Sequence, residues 1–297
     1  MSGISDPSSY GLMGAIPSLV DGRSLDLQTP PGLPREIAPG VFWLGVCSVR
    51  ASPSGVIHSG NSTYLVVGSA KSVLIDTGYI QTFPEMSRQV DACLNGRSLD
   101  FIMPTHPELP HSGSLGLFLE RYDNATAIGD VRDYGLYYPE HADRFKEVPI
   151  GETINLGGGY VFHMMEALLK DLPNTRWGYE RSVRVLFVAD GFAYLHHPDV
   201  AQEAPDTHLP SECGRVSAPG DGFPTVDQIQ HYTSFAFYWA RYRDDADELF
   251  ARVEALLDEY NVALLAPSHG NPILDLKRVI EATRLGHKRA YLASQDA

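Results

Sequence analysis

The chain is 297 residues long, 43% hydrophobic and 10% aromatic, enough apolar material for one substantial core with no compositional demand for a second. A formal net charge of -14 and a pI near 5.1 exclude the clustered Lys/Arg surface that meets nucleic acid or an anionic membrane, and make cations the natural guests. No apolar run approaches the roughly 18 residues of a membrane span and the start of the chain has neither a basic nor an apolar segment, so cytoplasmic residence is expected; the three widely spaced cysteines, Cys47, Cys93 and Cys213, agree with a reducing compartment and offer no thiolate metal cluster.

Residues 1–35 are rich in Ser, Gly and Pro and close on Pro30-Pro31-Gly32-Leu33-Pro34, which predicts an extended N-terminal arm or cover ahead of one domain over 36–297. Strands are expected at 41–46, 63–67 and 72–75, the last running into Asp76-Thr77-Gly78, where the chain turns sharply. A helix is expected over 83–94, then a strand at 101–103 that runs into Thr105-His106-Pro107-Glu108-Leu109-Pro110-His111. The Ser112-Gly113 step opens a further helix. The pattern repeats in the second half. Strands at 160–164 and 184–188, the latter ending at Asp190, precede a Pro-, Gly- and Asp-rich stretch at 198–228 that reads as a loop beside the site. Helices at 229–242 and 246–260 then lead to a strand at 262–266 that ends in Pro267-Ser268-His269-Gly270. Strands alternating with helices in two successive sets predict an α/β fold with two sheets covered by helices. The Asn61-Ser62-Thr63 sequon is read as coincidence.

Three strands end in a metal-ligating residue type. An apolar strand needs no polar group at its end, whereas a site assembled at the rim of a sheet does. His106, Glu108 and His111 lead the candidates, because alternate positions of an extended segment point the same way. Asp190 and His269 follow, against the plainer alternative that each caps the next loop. Asp76 is read as structural, since Asp-Thr-Gly turns tend to hold backbone amides. His163, His196 and His197 are read as structural as well.

Glu36-Ile37-Ala38-Pro39-Gly40 before Phe42-Trp43-Leu44-Gly45, Asn61-Ser62-Thr63-Tyr64-Leu65-Val66, Leu74-Ile75-Asp76-Thr77-Gly78, the His106 motif, Leu186-Phe187-Val188-Ala189-Asp190-Gly191-Phe192 and Ala266-Pro267-Ser268-His269-Gly270 together resemble the metallo-β-lactamase fold, and most closely the di-iron domain of flavodiiron proteins. The resemblance implies an αββα sandwich over about residues 36 to 275. Glu108 points to the flavodiiron branch, because hydrolases of this fold usually carry His there. The helical stretch from His231-Tyr232 to Tyr260 is a further likeness. The sequence departs from the family twice. The strand-end motif His-x-Glu-x-Asp-His here has Pro110 in place of Asp, and Asp171 falls where the family places a His, between Glu166-Ala167 and Pro173-Asn174. The resemblance thus implies a first metal held by His106, Glu108, Asp171 and a bridging Asp190, and a second held by His111, His269 and Asp190. Lys170 is the weaker candidate beside Asp171.

Three carboxylates with three imidazoles suit iron, with manganese or zinc as competitors, as two ions or as one if the altered site is half empty. No FMN-binding domain and no Gly-rich phosphate loop is expected in this chain, so electrons come from a separate donor protein or the site does something other than multi-electron turnover. The leading expectation is an iron-dependent oxidoreductase or oxygenase that activates or binds dioxygen in a redox reaction on a small molecule, with Trp177, Tyr179, Phe192, Tyr194 and Trp239 as candidates to shield the site. The runner-up is a metal-dependent hydrolase of an ester, lactone or thioester. A third reading is a non-catalytic oxygen or metal sensor. Small-molecule substrate and dioxygen are the expected partners, without nucleic acid or membrane, and a homo-oligomer is compatible with the arm.

Overall fold

The computed structural model describes residues 27–52, 55–197, 207–221 and 224–295. The expected arm up to residue 26 and parts of the 198–228 loop lie outside the described residues. The first sheet is built from β1 (Leu27–Gln28), β2 (Arg35–Ala38), β3 (Val41–Ser52), β4 (Gly55–Val67), β5 (Ser72–Ile75), β6 (Phe101–Met103), β7 (Thr126–Gly129) and β8 (Phe145–Glu147), in the order β1-β3-β4-β5-β6-β7-β8 with β2 also paired to β3. Pairing is antiparallel as far as β5 and parallel from β5 to β8. The second sheet joins β9 (Thr153–Gly157), β10 (Tyr160–Glu166), β11 (Arg176–Glu180), β12 (Val185–Phe187) and β13 (Leu264–Ala266) in the order β13-β12-β11-β10-β9. The helices are α1 (Phe83–Leu94), the single turn α2 (Leu109–Ser112), α3 (Leu115–Arg121), α4 (Tyr134–Tyr137), α5 (Val226–Ala236), α6 (Ala246–Glu259) and α7 (Leu276–Gln295). Among the described residues, no helix is long and apolar enough to cross a membrane.

Strand side chains alternate between faces, and here both faces are apolar because both are covered. Trp43, Val66, Val73 and Ile75 of the first sheet meet Phe162, Met164, Val185 and Phe187 of the second in the central core. Their neighbours Leu44, Leu65 and Leu74 turn outward onto Met86 and Val90 of α1 and Phe118 of α3. On the far side Leu186 and Leu265 pack with Phe250 and Val253 of α6 and Val279 of α7. The result is the four-layered αββα sandwich. Polar bonds tie the sheets together at one end: the Tyr64 hydroxyl donates to the Pro267 carbonyl at 2.8 Å, and Ser62 donates its amide to Ser268 O and its hydroxyl to Gly270 O, both at 2.7 Å.

Local chemistry sets the helix ends. α1 starts with a proline in its first turn and stops at Asn95 in the left-handed conformation, φ 48°, a conformation Asn tolerates. α5 is started by a capping box between Thr225 and Gln228. The end of the expected arm is built into the sheet, with Leu27 and Gln28 paired to Ser48 and Cys47. The expected 229–242 helix breaks at Phe237 into α5 and a 3₁₀ turn at Tyr238–Arg241. The strand expected at 63–67 starts at Gly55, because it pairs along the whole of β3 in a long hairpin.

Candidate metal centre

The sheet-joining end is also where the predicted ligands arrive. β5 delivers Asp76, β6 delivers His106 and Glu108, α2 carries His111, β12 leads to Asp190, and β13 leads to His269. Two of these exits use the left-handed backbone region at residues other than glycine, Asp76 at φ 62° and Ala189 at φ 49°. Such strain persists only where surrounding contacts impose it, and it concentrates at functional sites.

Around Asp190 the geometry closes. Its Oδ1 lies 3.4 Å from His111 Nε2 and 3.8 Å from His269 Nε2. His106 Nε2 lies 3.4 Å from Asp171 Oδ2 and 3.7 Å from Glu108 Oε2. The His106 and His111 rings are 3.8 Å apart between centroids. Three overlapping sets, His106 with Glu108 and His111, His111 with Asp190 and His269, and His106 with Asp171 and Asp190, each place their ligand atoms within 4.8 Å of one another. His106 Nε2, His111 Nε2 and Asp190 Oδ1 are buried and have no hydrogen-bond partner. Buried polar atoms are rarely left so, and lone pairs facing one another across a few ångströms suit a cation. The structure thus brings together all six predicted residues, and the donor set fits one or two metal ions.

The opposite atoms of these side chains are occupied. Asp76, fully buried, accepts from the Thr105 amide at 2.7 Å, from the Ser268 hydroxyl at 2.6 Å and from His111 Nδ1 at 2.8 Å. Burial pushes its carboxyl up, but the charge and bond of His111 and the bonds from Ser268 and Thr105 outweigh it and hold the group below the usual range. Asp76 fixes the tautomer that leaves His111 Nε2 to the site, the outer support that metal-bound imidazoles use. His269 Nδ1 lies 3.0 Å from the Gly60 carbonyl; a carbonyl only accepts, so Nδ1 carries the proton and Nε2 offers a lone pair. Burial lowers the proton affinity of His269 despite Asp190, which favours that neutral form. Asp171 Oδ1 takes the Leu172 amide at 3.0 Å and the Thr175 hydroxyl at 3.2 Å, while burial raises its pKa against the pull of His106.

For His111 burial disfavours the charge, but Asp76 and Asp190 raise its pKa to about 10. The same surplus of carboxylate that holds a proton there attracts a divalent cation. Glu108, whose side chain is 48% exposed, is the open side of the site. Tyr79 and Arg50 lie close enough to influence the site's charges.

One site residue lacked any signal in the sequence. Tyr232 of α5 is buried, holds its ring 5.7 Å from that of His269 at a tilt of 38°, and donates its hydroxyl to Asp190 Oδ2 at 2.6 Å. Of the aromatics expected to shield the site, Trp177, Tyr179, Phe192 and Tyr194 belong to the core under α5, α6 and α7, and Trp239 packs against it. Lys170 pairs instead with Glu166 at 3.9 Å. His163 stands beside Tyr179 on the second sheet, and His197 is exposed near the Val56 carbonyl. Asn61 of the sequon is buried and donates to the Pro110 carbonyl at 3.2 Å, which leaves no place for a glycan. The cysteines correct a further expectation. Wide spacing in sequence does not keep them apart, and Cys47 and Cys213 meet in a buried group with His58 and His196.

Comparison with known proteins places this arrangement. An oxidase of reduced coenzyme F420 from Methanothermobacter thermautotrophicus is 29% identical over 260 residues, 83% of this chain and 59% of the relative. An anaerobic nitric oxide reductase flavorubredoxin from Vibrio vulnificus is 28% identical over 186 residues, 59% of this chain and 37% of the relative. The chain therefore spans less than two thirds of the length of these relatives. Among solved structures, a fragment of a putative diflavin flavoprotein A 5 from Nostoc aligns over 92% of this chain and all of that one, with TM-score 0.63 and 16% identity. The rubredoxin oxygen:oxidoreductase of Desulfovibrio gigas aligns over 88% of this chain and 61% of its own, with TM-score 0.61 and 18% identity. The fold is that of the flavodiiron di-iron domain. Residues 57–257 match the profile of the metallo-beta-lactamase superfamily, and the chain belongs to that superfamily.

Proposed function

We propose that the chain is a non-haem di-iron oxidoreductase of the flavodiiron kind, acting on dioxygen or a comparable small molecule with electrons from a separate donor. The observation that carries this reading is the convergence of three orphaned, buried ligand atoms, His106 Nε2, His111 Nε2 and Asp190 Oδ1, in a pocket that also presents Glu108, Asp171 and His269. His106, Glu108, Asp171 and Asp190 would hold one ion, and His111, His269 and Asp190 the other. Iron bound there supplies redox equivalents and open coordination positions for a small gas.

The protein's own part is positional. Asp76 and the Gly60 carbonyl point two imidazoles inward. Tyr232 occupies one oxygen of Asp190 and leaves the other to the site. Glu108 lies at the open side. The names of the relatives, an oxidase and a nitric oxide reductase, support redox chemistry over hydrolysis, and so do carboxylates at Glu108 and Asp171 where zinc hydrolases favour imidazole. The test is anaerobic reconstitution with Fe(II), metal stoichiometry, and Mössbauer and absorption spectra before and after oxygen. Retention of iron with oxidation of a coupled pair is the expected result. Failure to retain iron, with zinc-dependent turnover of an ester and lactone panel, would replace this reading with the hydrolase.

A further inference from the structure

A second group of metal-ligating side chains lies outside the carboxylate-lined pocket. Cys47 of β3 and His58 of β4 sit on adjacent strands, two positions apart in register, since Cys47 pairs with Gly60 and Val49 with His58. His196 is bridged to His58 by two backbone hydrogen bonds of 2.8 and 3.1 Å. Cys213 comes from the turn that follows Leu209. Its Sγ lies 3.1 Å from His58 Nδ1 and 3.3 Å from His196 Nε2, and Cys47 Sγ lies 4.0 Å from His58 Nδ1. All four ligand atoms fall within 4.8 Å of one another, and all four residues are buried. We propose that Cys47, His58, His196 and Cys213 bind one zinc ion at a structural site separate from the Asp190 centre.

The dimensions agree. Zn–S bonds of about 2.3 Å and Zn–N bonds of about 2.0–2.1 Å at tetrahedral angles separate sulfur from nitrogen by roughly 3.6 Å, close to the 3.1, 3.3 and 4.0 Å found. Two thiolates and two neutral imidazoles around a dication make a complex of no net charge, which a buried site accepts where an isolated thiolate is costly. Cys213 Sγ is the point on which three imidazole nitrogens converge, the third being His208 Nδ1 at 3.3 Å. A tetrahedral set of two sulfurs and two nitrogens is one that structural zinc commonly occupies.

The site pins the segment around residue 213 against the β3–β4 hairpin. That hairpin carries Gly60, whose carbonyl orients His269, and the carbonyl of Glu212 beside Cys213 accepts from Asn271 at 2.6 Å. Zinc would therefore fix one wall of the Asp190 centre while taking no part in its chemistry, and the inference stands whatever that centre does.

The experiment uses the full chain purified from medium supplied with zinc and iron, with metals counted by mass spectrometry. The expected result is one zinc retained through dialysis, lost in Cys213→Ser and in His58→Ala, and kept in Asp190→Ala. Cobalt substituted for zinc should give a thiolate-to-metal charge-transfer band that Cys47→Ser weakens. Should the variants not fold, thiol titration of the native wild-type protein decides: Cys47 and Cys213 should react only after a strong chelator is added. Equal zinc in wild type and Cys213→Ser, equal thiol reactivity with and without chelator, or a Cys47–Cys213 disulfide in non-reducing mass spectra would each overturn the site.

Discussion

The hydroxyl of Tyr232 reaches Asp190 Oδ2 across 42 residues of chain at 2.6 Å, while Oδ1 of the same carboxylate faces His111 and His269. The two oxygens thus have separate duties. Burial opposes ionisation of Asp190, and the imidazoles of His269, His111 and His106, with the Tyr232 bond after them, hold its pKa below the usual value. Tyr232→Phe keeps the ring and deletes the donor. Loss of such an outer partner typically costs about 10- to 100-fold in metal affinity, and we expect a weakening in that range with the fold intact. Competition with a chelating dye measures it, and an unchanged affinity would show that the bond does not orient the carboxylate.

Asp190 also joins the His111–His269 ligand set to the His106–Asp171 set. Asp190→Ala should therefore abolish loading at both positions, whereas Asp171→Ala, which touches the His106 side alone, should remove about one of two equivalents by ligand count. Metal analysis of the two variants beside wild type separates these outcomes. Normal metal content in Asp190→Ala would refute the shared role.

Gly270 follows His269 at φ 98°, and a Cβ built there would stand 2.7 Å from the Tyr194 ring, itself fully buried. Both conformation and space require glycine. Gly270→Ala should cost about 1–3 kcal/mol by overpacking, plus the strain of a positive φ. Because the strain falls next to His269, metal affinity should drop with stability. Urea unfolding and metal titration of the variant test the pair of effects, and wild-type values for both would show that Tyr194 can move aside.

The ligands were legible where an apolar run stops on a chemically active residue, as Val185 to Val188 does before Asp190 and Leu264 to Ala266 before His269. Helix α1 was legible from its proline start and its regular apolar face. β11 was not, because its central Gly178 carries no pattern. The Phe162 ring fills the space a side chain would need, 2.3 Å from an added Cβ, so the reason for that glycine exists only after folding. α7 was missed for a related reason: Gly286, a weak helix former, sits where the helix packs close to Ile229 and Gln230 of α5. Tyr232 and the cysteine group are long-range meetings, His58 and Cys213 standing 155 positions apart in the chain. Spacing rules read ligands that lie close in sequence, and these do not.

His287 of α7 gives a pH effect independent of any metal. It is buried among Phe237, Trp239 and Phe250 with ring separations of 5.3 to 5.7 Å, and its Nε2 has no hydrogen-bond partner. Burial lowers its pKa to about 4, against a small opposing pull from Asp245. An unfolded histidine titrates near 6.5, so between these values the unfolded chain takes up a proton that the native state refuses. The stability this neutral imidazole allows is complete above about pH 6.5 and is lost progressively as the pH falls toward about 4. From pH 7 to pH 5 the linkage amounts to about 2 kcal/mol. His287→Leu should remove that share of the acid sensitivity and leave the remainder. Denaturant midpoints of wild type and variant at the two pH values provide the measurement, and parallel losses in both proteins would mean that His287 is already protonated, or solvated, in the folded state.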